Sequence, residues 1–141
     1  MDSVLMIFID GVGIGESSPD KNPFFKYPFQ SFLKVFNDIP SLENQYLESG
    51  KNHFLFPSDP LMDVPGLPQS GTGQTSIFCG INAPKQIGQH FGPYPYSTLI
   101  PVIREENIFR TILANSGRTA FVNAYPQIFF DYLNSGRQRL S

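Results

Sequence analysis

The feature that most constrains the fold is an apolar run at residues 4–9, which ends in Asp10 and a glycine-rich turn, residues 11–15. An uninterrupted apolar run rich in Ile and Phe and bounded by glycine predicts a strand that is buried on both faces. The carboxyl end of such a strand lies at the rim of a sheet, where open α/β folds bind their ligands. Asp10 is therefore a candidate metal ligand, although an Asp-Gly pair is also an ordinary way to begin a turn.

The composition argues against several classes of protein. Of the 141 residues, 40% are hydrophobic and 16% are charged, which is typical of a globular domain rather than a disordered chain. The net charge is -2 and there is no basic run, so nucleic acid is not an expected partner. No apolar stretch is long enough to cross a bilayer, the amino terminus lacks the basic region of a signal peptide, and there is a single cysteine. These features predict a cytoplasmic protein that does not associate with membranes.

A second distinctive segment, residues 69–80, begins with small polar residues and continues into an apolar helical pattern that ends at Gly80. The start of such a helix favours an anion, because its free N–H groups and its dipole both attract negative charge. The hydroxyl of Ser70 at this position is a candidate nucleophile. The alternative is that Ser70 or Thr72 is an ordinary N-cap.

The remaining pattern predicts further helices and strands. Helices are expected over residues 29–36, 105–116 (closed by Gly117) and 126–133, strands over 53–56 and 119–124, and loops over 57–68 and 85–101. The order of helix, glycine and apolar strand favours a parallel α/β sheet that includes the opening strand. Cys79 is predicted to be a buried, inert thiol. His90 is predicted to be packed or solvent-facing rather than a ligand.

Asp10 at the end of a strand, with Ser70 at a glycine-rich helix start sixty residues later, resembles the alkaline phosphatase superfamily. The closest branch looks like the cofactor-independent phosphoglycerate mutases, the phosphopentomutases and the phosphomutase-like metalloenzymes related to them. The sequence Ser-Gly-Thr-Gly-Gln-Thr at residues 70–75 is most similar to the last group, because the mutases have histidine where Gln74 stands. The resemblance extends to residues 82–84 and 121–126.

The resemblance implies an α/β fold with an alkaline-phosphatase-like core, in which a mostly parallel sheet is flanked by helices. Residues 1–141 would be the N-terminal portion of a single metalloenzyme domain. Asp10 would bind a metal, and Ser70 would accept the phosphoryl group, as a phosphoserine intermediate, and bridge two divalent ions (Mn, Zn or Mg). The substrate would be a small phosphorylated metabolite. The implied phosphate-binding residues are Gly71, Thr72, Gly73, Gln74 and Asn123.

The sequence does not supply the whole of such a site. The only histidines are His53 and His90, and there is no Asp-His pair, whereas two metal ions need about six protein ligands. We therefore expect an incomplete core that does not bind both metals and is inactive by itself. Three interpretations remain open: a phosphohydrolase or phosphomutase with a missing C-terminal half, a non-catalytic phosphate-binding module, and an interaction subunit completed by a partner chain.

Overall fold

A computed structural model of the protein describes residues 3–123 and 125–135. Within these residues the fold is a small α/β arrangement of mixed helices and a two-stranded antiparallel sheet. The elements are α1 (Pro23–Lys26), α2 (Gln30–Phe36), β1 (Leu47–Ser49), β2 (His53–Leu55), α3 (Ser70–Cys79), α4 (Ala83–Ile87), a 3-10 helix (Ser97–Leu99), α5 (Ile100–Glu105), α6 (Ile108–Ala114) and α7 (Gln127–Asn134). The chain divides into two compact units, Met1–Asp59 and Pro60–Ser141.

Unit 1 (Met1–Asp59) contains two short helices and a hairpin. Asn22 is the N-cap of α1, and its side-chain oxygen accepts the N–H of Phe24 at 3.0 Å. Pro23 occupies the first helical position, which needs no N–H donor. The strands β1 and β2 are antiparallel, with Leu47 opposite Leu55.

In unit 2 (Pro60–Ser141), α3 packs against both α4 and α5. The helix ends at Cys79 because Gly80 adopts a left-handed conformation (φ 68°) and its N–H returns to the carbonyl of Ser76. Ala83 at the start of α4 and Leu99 just before α5 are buried. These contacts give unit 2 a local core around the helix that begins at Ser70.

Several local predictions are confirmed. The helix α2 covers the segment predicted over residues 29–36, α7 covers the segment predicted over 126–133, and β2 is the short strand predicted from residue 53. The helix α3 begins at Ser70 and stops before Gly80, as the sequence pattern predicts. None of the helices in the described part of the chain has the length and apolar character that a membrane span requires.

Two other segments differ from the prediction. The helix expected over residues 105–116 is interrupted between α5 and α6, where the side chain of Asn107 caps α6. The predicted stop at Gly117 is wrong, because the left-handed residue is Ser116 (φ 60°). The loop expected over 85–101 contains the end of α4, the 3-10 helix and the start of α5. Both α4 and α5 carry a proline in the first turn, a position where proline is compatible with a helix.

The apolar run at residues 4–9 does not form the predicted buried strand. It has no strand assignment, and Val4 and Leu5 are 95% and 83% exposed. A strand needs a hydrogen-bonded neighbour, and β1 and β2 are paired with each other, while the parallel bridge in unit 1 joins Gly15 to Ser41. The predicted strand at 119–124 is likewise absent over residues 119–123, and residue 124 lies outside the described residues. A mostly parallel sheet is therefore not present in the part of the chain that the structure describes.

Candidate functional site

Ser70 is the first residue of α3, and the N-cap is Gln69, whose extended backbone (φ -128°, ψ 145°) leads into the helix. The Gln69 side chain makes no capping hydrogen bond. Neither Ser70 nor Thr72 is thus the N-cap, which corrects the alternative interpretation of this segment. The half-buried Ser70 lies where the helix dipole is positive, the position that favours a developing oxyanion.

Thr72 is fully buried at 0% exposure and is bonded to Phe91, nineteen residues away. Its backbone N–H donates to the carbonyl of Phe91 at 2.9 Å, and its hydroxyl oxygen accepts the N–H of Phe91 at 3.2 Å. The hydroxyl oxygen also lies 3.3 Å from the carbonyl oxygen of Gln69 and 3.4 Å from that of Phe91, either of which can accept its proton. These bonds attach residues 91–95, which we name the covering loop, to the start of α3.

Two glycines let the covering loop approach the helix start. A Cβ on Gly71 would lie 2.2 Å from the carbonyl oxygen of Tyr94 and 2.7 Å from that of Phe91. A Cβ on Gly92 would lie 3.2 Å from the backbone nitrogen of Ser70. The loop and the helix start therefore pack closely, and there is no space for a side chain at Gly71, whereas a Cβ at Gly92 would make a tight contact.

Ser70 lines a cleft of about 120 Å³ between α3, the covering loop and α5. Its lining residues are Ser70, Gly71, Gln74, Thr75, Phe78, Pro93, Pro95 and Ile103. The prolines and Phe78 make most of this wall apolar, while Ser70 and Gln74 contribute polar groups. Among the described residues, the N–H of Gly71 donates to no backbone acceptor, so it can donate to an anion beside Ser70.

The other predicted phosphate-binding residues have different surroundings. The N–H of Gly73 donates to the carbonyl of Gln69 at 2.9 Å, within the first turn of α3. Asn123 is exposed and its side-chain N–H donates to the hydroxyl of Tyr125 at 3.0 Å. Phe121, two residues earlier, packs its ring against that of Phe78, with centroids 5.9 Å apart. Phe78 lies about 12 Å along the helix from its first residue at 1.5 Å per residue. A phosphate role for Asn123 stays a prediction.

Asp10 belongs to unit 1 and Ser70 to unit 2, and Asp10 lies in an exposed turn in which Gly11 has a φ of 73°. Residues 3–123 and 125–135 contain no group of three or more His, Cys, Asp or Glu side chains that could hold a metal ion. On their own these residues do not fit the ligand set that two divalent ions require. The metal-binding role of Asp10 and Ser70 stays a prediction.

A second cleft in unit 2, of about 380 Å³, is lined by residues that include Gln69 and His90. The Nε2 atom of His90 lies 3.0 Å from the carbonyl oxygen of Val64, which fixes Nε2 as the protonated donor. Its Nδ1 atom is buried without a hydrogen-bond partner among the described residues. His90 is thus a partly buried, packed residue, in agreement with the sequence prediction.

Cys79, at the last position of α3, is partly buried. Burial raises the pKa of its thiol, and the negative charge of Glu106 raises that pKa further. Both effects disfavour the thiolate, which is the reactive form of cysteine. This environment agrees with the prediction of an unreactive thiol.

Searches of protein-family models, of curated proteins and of solved structures found no match to this chain. The functional argument therefore depends on the residues around Ser70. The sequence pattern identified Ser70 and the glycines, but it missed the covering loop. The proline-rich composition of residues 91–95 indicates a loop, but it does not indicate which helix that loop contacts.

Proposed function

We propose that the protein is a metal-dependent phosphoryl-transfer enzyme of the phosphohydrolase or phosphomutase type, with Ser70 as its nucleophile. The proposed fold is an incomplete alkaline-phosphatase-like core in the cytoplasm, and the proposed substrate is a small phosphorylated metabolite. Two divalent ions (Mn, Zn or Mg) belong to the proposal, with Asp10 as one ligand. The remaining ligands would have to come from groups other than the described residues.

The position of Ser70 at the start of α3 is the observation that supports this proposal. In the reaction, a bond forms between Ser70 Oγ and phosphorus, the ester P–O bond breaks, and the alcohol leaves with a proton. The N–H of Gly71 and the dipole of α3 favour the negative charge that the phosphoryl oxygens carry. Water then releases phosphate from the serine, or a second alcohol accepts the phosphoryl group.

The proposal is tested by two measurements on the same chain, each with Mn²⁺ present. Calorimetry with inorganic phosphate measures binding, and intact-mass spectrometry after incubation with para-nitrophenyl phosphate detects a phosphoserine. We expect the wild-type chain to bind phosphate and to form no more than a trace of the phosphoryl adduct, because the described residues do not complete the metal site. Ser70→Ala should lose any covalent adduct. Ser97→Ala, at an exposed serine that begins the 3-10 helix of the same unit, is the matched control and should behave as the wild type.

The outcomes separate the possible functions. Phosphate binding without a covalent adduct would contradict catalysis by this chain alone and would favour the non-catalytic phosphate-binding module. An adduct that survives in Ser70→Ala would show that another residue is the nucleophile. Absence of both phosphate binding and adduct formation would overturn the proposed function.

A second candidate function, an interaction subunit completed by another chain, is favoured by the exposed apolar run at residues 4–9. Six exposed apolar side chains in succession are unusual for a monomer and are typical of a surface that another chain covers. Size-exclusion chromatography and binding of a hydrophobic dye test this candidate. Ile7→Asp should lower dye binding, and a monomer that binds no dye would exclude this function.

A further inference from the structure

We propose that Thr72 is a positioning residue that holds the covering loop against the backbone of Ser70 and Gly71 and thereby sets the shape of the cleft that contains Ser70. The inference rests on the proposed function, because it concerns how the phosphate site of that enzyme is built. It assigns Thr72 a role different from the direct phosphate contact that the sequence resemblance implies.

The burial of Thr72 argues against direct contact with a ligand. Its exposure is 0%, so it has no surface that a ligand in the cleft could reach. Its backbone N–H donates to the carbonyl of Phe91, and its hydroxyl is within hydrogen-bond distance of the carbonyls of Gln69 and Phe91, either of which can accept its proton. Both of its donors are therefore committed to protein acceptors.

Thr72 makes hydrogen bonds that join the covering loop to the helix start. Gly71 in the helix and Gly92 in the loop lie in this close contact, and neither has a side chain that could form a hydrogen bond. Thr72, in contrast, both donates to and accepts from the backbone of Phe91. The ring of Phe91 packs on that of Tyr96, which follows the loop, with centroids 4.9 Å apart, so the residue that Thr72 holds is itself packed.

The consequence for the site follows from what the loop contributes to it. Pro93 and Pro95 form part of the wall of the cleft that contains Ser70. If the bonds from Thr72 are lost, this wall can move away from Ser70 while every atom that would touch phosphate is still present. Phosphate affinity should then fall because the cleft is no longer held in its binding shape.

The test compares phosphate affinity by calorimetry for the wild type, Thr72→Val, Thr72→Ser and Thr98→Val. Valine keeps the shape of Thr72 but removes its hydroxyl, serine restores the hydroxyl, and Thr98 is an exposed threonine of the same unit that serves as the control. We expect Thr72→Val to weaken phosphate binding by about tenfold, the loss expected for one hydrogen bond. Thr72→Ser and Thr98→Val should retain the wild-type affinity.

Circular dichroism establishes that each variant is folded at the temperature of the binding experiment. If Thr72→Val does not fold, Gly92→Ala tests the position of the loop with Thr72 intact, because its Cβ, 3.2 Å from Ser70 N, would require the loop or the helix start to shift by a few tenths of an ångström. This variant should also weaken phosphate binding.

The two proposals fail in different ways. A folded Thr72→Val or Gly92→Ala variant with wild-type phosphate affinity would overturn the positioning role and leave the proposed function intact. A wild-type chain that binds no phosphate would overturn the proposed function, and the positioning role with it. If Thr72→Ser and Thr72→Val weakened phosphate binding equally, this would also contradict the inference, because the Thr72 hydroxyl would then not be the group that positions the loop.

Discussion

Gly71 and Gly73 are two residues apart in the same helix, but alanine should have different effects at the two positions. A Cβ at Gly71 would overlap the carbonyl oxygens of Tyr94 and Phe91, at 2.2 Å and 2.7 Å. A Cβ at Gly73 would meet no atom within 4 Å. Neither glycine has a positive φ, so the difference is one of space and not of backbone conformation.

The expected magnitude follows from two opposing effects. Alanine in place of glycine inside a helix stabilises it by about 1 kcal/mol, and this gain applies to both variants. Overpacking against well-placed atoms costs about 1–3 kcal/mol and applies to Gly71→Ala alone, because the overlapping atoms belong to the backbone and cannot rotate away. The propensity gain cancels in the comparison, so Gly73→Ala should exceed Gly71→Ala in free energy of unfolding by about 1–3 kcal/mol.

The measurement is urea denaturation of the wild type and the two variants, followed by far-ultraviolet circular dichroism. Gly73→Ala should unfold at a higher urea concentration than the wild type, and Gly71→Ala at a lower concentration than Gly73→Ala, with similar slopes. Equal stabilities for the two variants would refute the close packing of the covering loop on the helix start. A destabilised Gly73→Ala would show that this position is not the open helix surface described above.

Two further predictions concern residues of unit 2 outside the candidate phosphate site. Because burial and the charge of Glu106 raise the pKa of Cys79, iodoacetamide should alkylate this thiol more slowly than free cysteine at mildly alkaline pH. The alkylation rate should increase as the pH rises, and Glu106→Gln should react faster at a given pH; a rate equal to that of free cysteine would contradict the pKa shift. His90→Phe removes the hydrogen bond to Val64 and should lower the free energy of unfolding by about 1–2 kcal/mol in urea denaturation. Gln89→Ala, at the exposed neighbour, should have little effect, and equal losses in both variants would show that the bond to Val64 is not the cause.

The parts of the fold that the sequence predicts are those determined by nearby residues. The end of α3 is one example, since Gly80 is a glycine placed directly after an apolar helical pattern and adopts the left-handed conformation of a helix stop. The helix α2 is another, because its apolar residues recur at helical spacing within seven residues. In both segments, the residues that determine the structure lie within about two helical turns of the structure that they determine.

The parts that the sequence does not predict depend on distant partners. The run at residues 4–9 has the composition of a buried strand, but composition does not provide the neighbouring strand that such a segment needs. At the candidate site, the pattern identifies Ser70, whereas the bond between Thr72 and Phe91 spans nineteen residues of chain with no periodicity. A prediction from local pattern therefore finds the candidate nucleophile but not the loop that packs against it.

The segment before α3 contains two successive residues in left-handed conformations, Met62 (φ 48°) and Asp63 (φ 61°). Non-glycine residues pay about 1–2 kcal/mol each for this conformation. The carbonyl of Met62 accepts a hydrogen bond from Asn82 at 2.8 Å, and the carbonyl of Val64 lies 3.0 Å from Nε2 of His90. The side chains of Asn82 and His90, which come later in the chain, therefore offset this backbone strain. Loss of either bond should therefore make the turn at 62–64 easier to open and easier for a protease to reach.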